Sequence, residues 1–295
     1  MRKKMKVAIL GGGLIGTDLL VKIMRSPWLE CTGFISRNLN SSRMLKAINL
    51  GVFVSDKGIG AIEENPDQYD LIFDATSAAA HKIHAPIFEK LRKIVIDLTP
   101  AKIGKMCVPA VNISECLNLN NVNMITCGGQ ASIPLAYTIG QVHKDVKYIE
   151  VVSTISSRSA GPATRANLDE YIDTTENGIK HFSSAEKSKA ILILNPADPC
   201  INMQTTVCAI VSKPEINKLK EEVHKMITFL KTYVPGYELV VEPTVEDNRI
   251  FMMIRVNGLG DFLPSYAGNL DIINCAAIAM AEKYAIQKYG EAHGK

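Results

Sequence analysis

The chain is 295 residues long, 47% apolar and 21% charged, the composition of an ordinary globular protein and not of a disordered or fibrous one. Lys+Arg number 33 against 30 Asp+Glu, and aromatic residues make up only 6%, so neither a basic arm nor a base-stacking surface for nucleic acid is present. The seven cysteines are odd in number, scattered and free of any CxxC pair, which excludes a disulfide framework and a zinc ribbon, predicts no metal site, and points to a reducing, cytoplasmic setting. The basic, apolar start imitates a secretory leader, but consecutive glycines and Asp18 interrupt it. No apolar stretch reaches the roughly 20 residues of a membrane span.

In chain order, residues 6–10 predict a short strand ending in glycines, and residues 14–25 a helix with apolar residues at helical spacing. Strands are predicted at 32–36 and 52–54, with a helix at 41–49 between them. The apolar runs at 70–74 and 94–97 predict two more strands, separated by a helix at about 78–90. This alternation predicts right-handed βαβ units and a parallel sheet covered on both faces. The second half reads differently, with strands at 148–156, 190–194, 206–211, 238–241 and 251–256 and helices at about 166–182 and 214–233. Longer strands with fewer intervening helices predict a mostly antiparallel sheet with helices on one face. An alanine-rich helix at about 270–288 closes the chain. The fold class is thus α/β: a Rossmann dinucleotide-binding domain followed by an α+β domain, with the composition shift near residues 125–147.

Gly11-Gly12-Gly13-Leu14-Ile15-Gly16 fits G-x-G-x-x-G, follows a predicted strand and opens a predicted helix. The first glycine allows a tight turn, the second a close backbone approach to a pyrophosphate, and Gly16 close helix–strand packing. The helix N-terminus supplies N–H groups and partial positive charge for the phosphates. About 20 residues on, where an acidic residue would hold the ribose of NAD, stand Ser36 and Arg37. They suit a 2′-phosphate, the NADP solution; Arg37 reads equally as a solvated surface residue.

Among the cysteines Cys127 stands apart. An apolar run ends at it, Gly128 and Gly129 follow, and a helix is predicted from about Ser132, with Pro134 in its first turn. A thiol at a helix start has its thiolate stabilised by the dipole and by backbone N–H groups, which also suit a developing oxyanion. Local chemistry alone leaves open a buried structural thiol. A dinucleotide loop combined with an activated cysteine points to aldehyde oxidation through a thiohemiacetal and a thioester, the acyl group passing to water, phosphate or a thiol.

The stretches KVAILGGGLIGTDLL, LIFDATSAAAH, IDLTPAKIG, VNMITCGGQASIP, ISSRSAGPATRANLDEY, ILNPADP and LPSYAGNLDI together resemble the acylating acetaldehyde dehydrogenases that partner a 4-hydroxy-2-oxovalerate aldolase in the catabolism of aromatic compounds. The resemblance implies a glyceraldehyde-3-phosphate-dehydrogenase-like fold and conversion of acetaldehyde or another short aldehyde, coenzyme A and NAD, with NADP as the alternative, to acyl-CoA. It implies a dinucleotide-binding domain at 1–127, a catalytic and dimerisation domain at 128–263, and a last helix at 264–295 returning to the first domain. A homodimer within a hetero-oligomer is implied as well. The acyl-thioester cysteine of the family falls on Cys127, and its dinucleotide contacts on Gly12, Gly13, Leu14 and Ile15, on Ser159, Ala160, Gly161, Pro162, Ala163, Thr164, Arg165, Ala166 and Asn167, and on Asn269. Three departures stand out: Ser36 replaces an aspartate after the second strand, Thr205 stands where the family carries a carboxylate proposed to assist catalysis, and the segment between Val245 and Ile250 is short. Two alternatives remain: a phosphorylating semialdehyde dehydrogenase, which needs a cationic pocket that Arg158 and Arg165 alone would have to supply, and a degenerate nucleotide-binding subunit of an aldolase.

Overall fold

The computed structural model describes residues 3–290. The chain forms two compact units, Met1–Met124 with Ala276–Lys295, and Ile125–Cys275. In the first, the elements are β1 (Met5–Leu10), α1 (Leu14–Arg25), β2 (Leu29–Ile35), α2 (Ser42–Asn49), β3 (Val54–Ser55), α3 (Gly60–Glu64), β4 (Leu71–Asp74), α4 (Ala78–Lys90), β5 (Ile94–Asp97), β6 (Lys105–Met106), α5 (Pro109–Cys116) and β7 (Asn121–Asn123). The second carries α6 (Cys127–Val142), β8 (Tyr148–Ser156), α7 (Pro162–Ala166), α8 (Leu168–Ser183), β9 (Lys187–Asn195), β10 (Met203–Ile210), α9 (Ile216–Leu230), β11 (Tyr237–Glu246) and β12 (Arg249–Val256). A last helix, α10 (Gly268–Tyr289), begins in the second unit and ends in the first.

The first unit is a seven-stranded sheet in the order β3-β2-β1-β4-β5-β7-β6, with every neighbouring pair parallel. Helices on both faces explain why its strands are continuous apolar runs: all four residues of β4 are buried. Ala8, Leu10, Ile35, Ile62, Tyr69, Ile72, Phe88 and Val95 form one of its core clusters. The strand order reverses between β1 and β4, so the loops after these two strands border the switch-point crevice where doubly wound sheets bind ligands. The far half of α10 docks here through its own polar contacts. Glu282 accepts from Ser26 at 2.6 Å, Tyr284 Oη lies 2.9 and 2.7 Å from the Cys116 and Leu119 carbonyls, and Lys288 meets Asp70 at 2.8 Å.

The second unit is a five-stranded sheet in the order β11-β12-β10-β8-β9, antiparallel except for β8 beside β9. Strict alternation of buried and half-exposed residues along β8 gives the sheet one packed face. The helix α6 is apolar on nearly every side because it is the central helix of this unit, with Cys127 as its first residue. Tyr237 on β11 donates to the Ala131 carbonyl at 2.7 Å and fixes that helix to the sheet.

The expected elements recur, with boundary shifts that have local causes. α6 starts at Cys127, five residues ahead of the expected start near Ser132, because Thr126 caps it and accepts from Gly129 N–H at 2.8 Å. Pro134 therefore lies inside the helix. The helix expected at 166–182 is divided at Asn167, whose backbone leaves the helical region at φ −127°. α3, α5, β6 and β7 are absent from the sequence reading: α3, β6 and β7 are very short, and the helical pattern of α5 is interrupted at Asn112, which sits at φ −140°.

Candidate active site

Each glycine of the β1–α1 turn has its own reason. Gly11 sits at φ +116°, a conformation that side-chain-bearing residues rarely adopt. A Cβ on Gly12 would lie 2.5 Å from Ser36 Oγ, so the serine after β2 fills the space behind the loop. Nothing lies within 4 Å of a Cβ on Gly13, which leaves its backbone open to an approaching group, whereas one on Gly16 would collide with the Gly11 carbonyl. No side chain caps α1 and no carboxylate stands in its first turn, where Leu14 and Ile15 follow Gly13. The electrostatics of this helix start therefore favour an anion. Ser36 is half-buried, and Arg37 is an exposed cation with no side-chain partner among the described residues.

Cys127 occupies the first position of α6, after Ile125 at φ +65° turns the chain into the helix. It is 8% exposed. Its sulfur lies 3.3 Å from the Tyr171 hydroxyl on α8, and the same hydroxyl accepts from Gly128 N–H at 2.8 Å. The surrounding hydroxyls have a defined direction. Thr175 donates to the Tyr171 carbonyl at 2.7 Å, so the 2.7 Å bond between Thr126 and Thr175 must be donated by Thr126. On the other side, Ser153 of β8 lies 3.0 Å from Thr205 of β10, which is fully buried. Burial pushes the Cys127 thiol up from its ordinary value, against the lowering by the Tyr171 hydroxyl and by the N–H groups of Gly128 and Cys127. This corrects the expectation from helix position alone: in the resting site, loss of water outweighs the helix start.

The segment after β8 is a tight turn leading into α7. Ser159 is buried and donates to the Ser156 carbonyl at 2.8 Å. Arg165, expected to reach a carbonyl or a phosphate of a ligand, is turned onto its own loop. It donates to the Ala160 carbonyl at 3.0 Å, the Ser157 carbonyl at 2.9 Å and Ser157 Oγ at 2.8 Å. Gly161 is the residue before α7, Thr164 and Ala166 lie on it, and Asn167 ends it. The side chains of Pro162 and Ala163 lie outside the described set. Asn269, at the start of α10, is 1% exposed and its Oδ1 has no hydrogen-bond partner. An orphaned buried acceptor of this kind is costly unless a ligand or water meets it.

Tyr171, Thr126, Thr175 and Ser153 were not among the residues singled out from the sequence. A signal exists for two of them. The inward stripe of α8 carries Tyr171, Thr174, Thr175 and Ser183, hydroxyls on the face of an amphipathic helix where apolar residues are the rule.

A parallel dinucleotide-type sheet joined to a mixed sheet that carries a buried cysteine at a helix start defines a class, the glyceraldehyde-3-phosphate-dehydrogenase-like oxidoreductase fold. Solved structures agree on that fold. Aspartate semialdehyde dehydrogenase II of Vibrio cholerae matches with a TM-score of 0.65 at 15% identity, covering 97% of this chain and 100% of that one. The aspartate semialdehyde dehydrogenase of Candida albicans matches with a TM-score of 0.65 at 12% identity, covering 96% and 100%. Residues 127–264 match the family described as prokaryotic acetaldehyde dehydrogenase, dimerisation. An acetaldehyde dehydrogenase of Spirochaeta aurantia is 58% identical over 96% of this chain and 95% of its own length, and one of Pectobacterium atrosepticum is 56% identical over 99% of each. The chain belongs to the acetaldehyde dehydrogenase family, and it is an enzyme of the oxidoreductase class.

Proposed function

We propose that this enzyme oxidises acetaldehyde, or a short aldehyde of the same reach, to the corresponding acyl-CoA, with Cys127 as nucleophile and a nicotinamide dinucleotide held by the first unit. The observation that carries this reading is the position of Cys127: first residue of a capped helix, with hydrogen-bonding groups against its sulfur, in a chain of this family. The Cys127 sulfur adds to the aldehyde carbon, and the oxygen takes up the displaced electron pair at the start of α6, where the Gly128 and Gly129 N–H groups are already held by Tyr171 and Thr126. A bound nicotinamide supplies the acceptor for the hydride that leaves this adduct. The thioester left on Cys127 is then attacked by the thiol of coenzyme A, which releases the free cysteine.

The residues present suit such a dinucleotide. Gly13 leaves open backbone at an uncapped helix start for the pyrophosphate, and the orphaned Asn269 Oδ1 calls for a donor such as a carboxamide N–H. Ser36 and Arg37 in place of a carboxylate favour acceptance of NADP beside NAD. The phosphorylating alternative loses its anion site: Arg165 is committed to Ser157 and Ala160, and Arg158 lies 3.5 Å from Asp198. In the same reading the enzyme works as a homodimer, and its aldehyde comes from a 4-hydroxy-2-oxovalerate aldolase partner. The decisive experiment is Cys127→Ser with acetaldehyde and coenzyme A. Acyl-CoA formation falls by orders of magnitude while dinucleotide binding, followed by fluorescence titration, is retained. A variant that keeps its turnover would remove Cys127 from the mechanism.

A further inference from the structure

We propose that Tyr171 is a further catalytic residue: its phenol O–H, its oxygen held by Gly128 N–H, is the donor that holds the Cys127 thiolate and then the oxygen of the substrate adduct. The proposal rests on Cys127 being the nucleophile. Its basis is the direction of the hydrogen bonds. Gly128 N–H occupies an acceptor site of the phenol oxygen at 2.8 Å, and the sulfur lies 3.3 Å from the same oxygen. While the thiol keeps its proton, either group can donate; once it has lost it, only the phenol can. A charge-assisted bond therefore forms in the reactive state and is weaker in the resting one, which is the condition for a catalytic contribution.

Three features of the surroundings support this role. Both groups are buried, each 8% exposed, so water does not readily substitute for the phenol as donor. Within this unit Ser153 of β8, bonded to Thr205 of β10, would lie 3.4 Å from a Cβ on Gly128, and the titratable group that meets the sulfur is the Tyr171 phenol. The phenol itself is pushed well above its ordinary value, first by burial and then by Cys127, so it stays protonated as a donor and does not serve as a base. Its backbone is tied to the same helix start, because Thr126 caps α6 and donates to Thr175, which donates to the Tyr171 carbonyl.

The step balances simply. The thiol proton leaves to solvent, and the sulfur lone pair forms the S–C bond. The carbonyl π pair moves onto oxygen, within reach of the phenol that the sulfur and Gly128 N–H both meet. The phenol proton turns from sulfur, now bonded to carbon, towards that oxygen. The carbonyl re-forms in the thioester only as the C–H bond pair would leave the carbon as hydride to the dinucleotide's nicotinamide; the oxygen pair then returns to the C–O bond, and the phenol keeps its proton throughout.

The test is Tyr171→Phe in the full-length enzyme, with the alkylation of Cys127 by iodoacetamide followed by mass spectrometry across pH. A lost hydrogen bond to a charged group slows alkylation at neutral pH by about tenfold and moves the midpoint of its pH profile upward. Turnover falls in parallel while dinucleotide affinity is unchanged. An unaltered pH profile in a folded Tyr171→Phe protein overturns the proposal, since a purely structural role lowers the unfolding temperature without moving that midpoint. If the variant does not fold, 3-fluorotyrosine at position 171 keeps the shape and makes the phenol a stronger donor. The midpoint then moves downward, and a fixed midpoint again overturns the idea. Because alkylation reads the sulfur directly, it reports on Tyr171 even if Cys127→Ser proves active, so the two failures are distinguishable.

Discussion

Thr205 is the residue whose surroundings most constrain how acyl transfer can proceed. It is fully buried on β10, bonded to Ser153, and Ser153 Oγ would lie 3.4 Å from a Cβ on Gly128, so a substitution here is felt beside the nucleophile. A carboxylate at this position would accept from Ser153 and supply acid–base assistance, typically worth about 10²–10⁴-fold. Thr205→Asp is therefore expected to raise turnover with acetaldehyde and coenzyme A, by less than that range because burial favours the neutral acid. Rapid mixing that resolves reduced-dinucleotide formation from thioester transfer checks it, and a slower variant would show that hydroxyls suffice. At the other site, Arg37 is exposed and has no side-chain partner among the described residues. Arg37→Ala is expected to weaken NADP binding by about tenfold and to leave NAD binding unchanged, the loss of one charge-assisted contact to a 2′-phosphate. An equal loss for both dinucleotides would mean that Arg37 does not read the ribose.

The carboxyl ends of β4, β5 and β7 share one buried polar network with α4. His81 and His84 both place Nδ1 at 2.9 Å from Asp74 Oδ2, so Asp74 accepts from two imidazoles. The other nitrogen of His81 lies 3.4 Å from Asp97, which also accepts from Asn123 at 2.7 Å and Thr99 N–H at 2.8 Å. His81 Nδ1 is bonded to Asp74, and its Nε2 faces Asp97 without a hydrogen-bond partner. Accordingly burial raises Asp97 to about 7, and Asp74, with hydrogen bonds from both histidines outweighing its burial, falls to about 2. Burial lowers His81, but the hydrogen bond it donates to Asp74 and the charges of Asp97 and Asp74 raise it above its ordinary value. The folded state thus binds more protons than the unfolded one at Asp97 between about 4 and 7, and at His81 above its ordinary value. Both contributions make stability fall as pH rises through that range, whereas Asp74 adds stability above its ordinary value that is lost as pH falls towards 2. Urea unfolding at pH 5 and pH 8 is expected to show the higher midpoint at pH 5, with the difference reduced in Asp97→Asn; an undiminished difference would place its origin elsewhere. None of this network was legible in the sequence, because it joins the ends of separate strands and the start of a helix. The glycine turn and the strands β1, β5 and β8 were legible, since each carries its signal within one short segment. Cys127 was legible for the same reason, and Tyr171 was not, because its partner lies 44 residues away on another helix.

At the scale of the whole molecule, the outer face of the five-stranded sheet carries exposed apolar residues among polar ones such as Glu150, Lys189 and Gln204. Ile191 pairs with Val152, Val152 with Thr206 and Thr206 with Met253, so these residues share that face, with Ile193 two residues along. Ile193 and Phe251 are 44% and 47% exposed. The match of residues 127–264 to a family described as dimerisation makes this face the candidate for contact with a second copy of the chain. Ile193→Asp is expected to shift the mass measured by light scattering from dimer to monomer, and an unchanged mass would move the interface off this face. The closing helix has a consequence of a different kind. Because its far half joins the first unit through Glu282, Tyr284 and Lys288, that unit gathers its full set of contacts only when residues far apart in the chain are both present. The central unit is contiguous from Ile125 to Cys275. The five-stranded unit is thus built from one uninterrupted stretch, whereas the seven-stranded sheet draws its partners from two stretches separated by that whole unit.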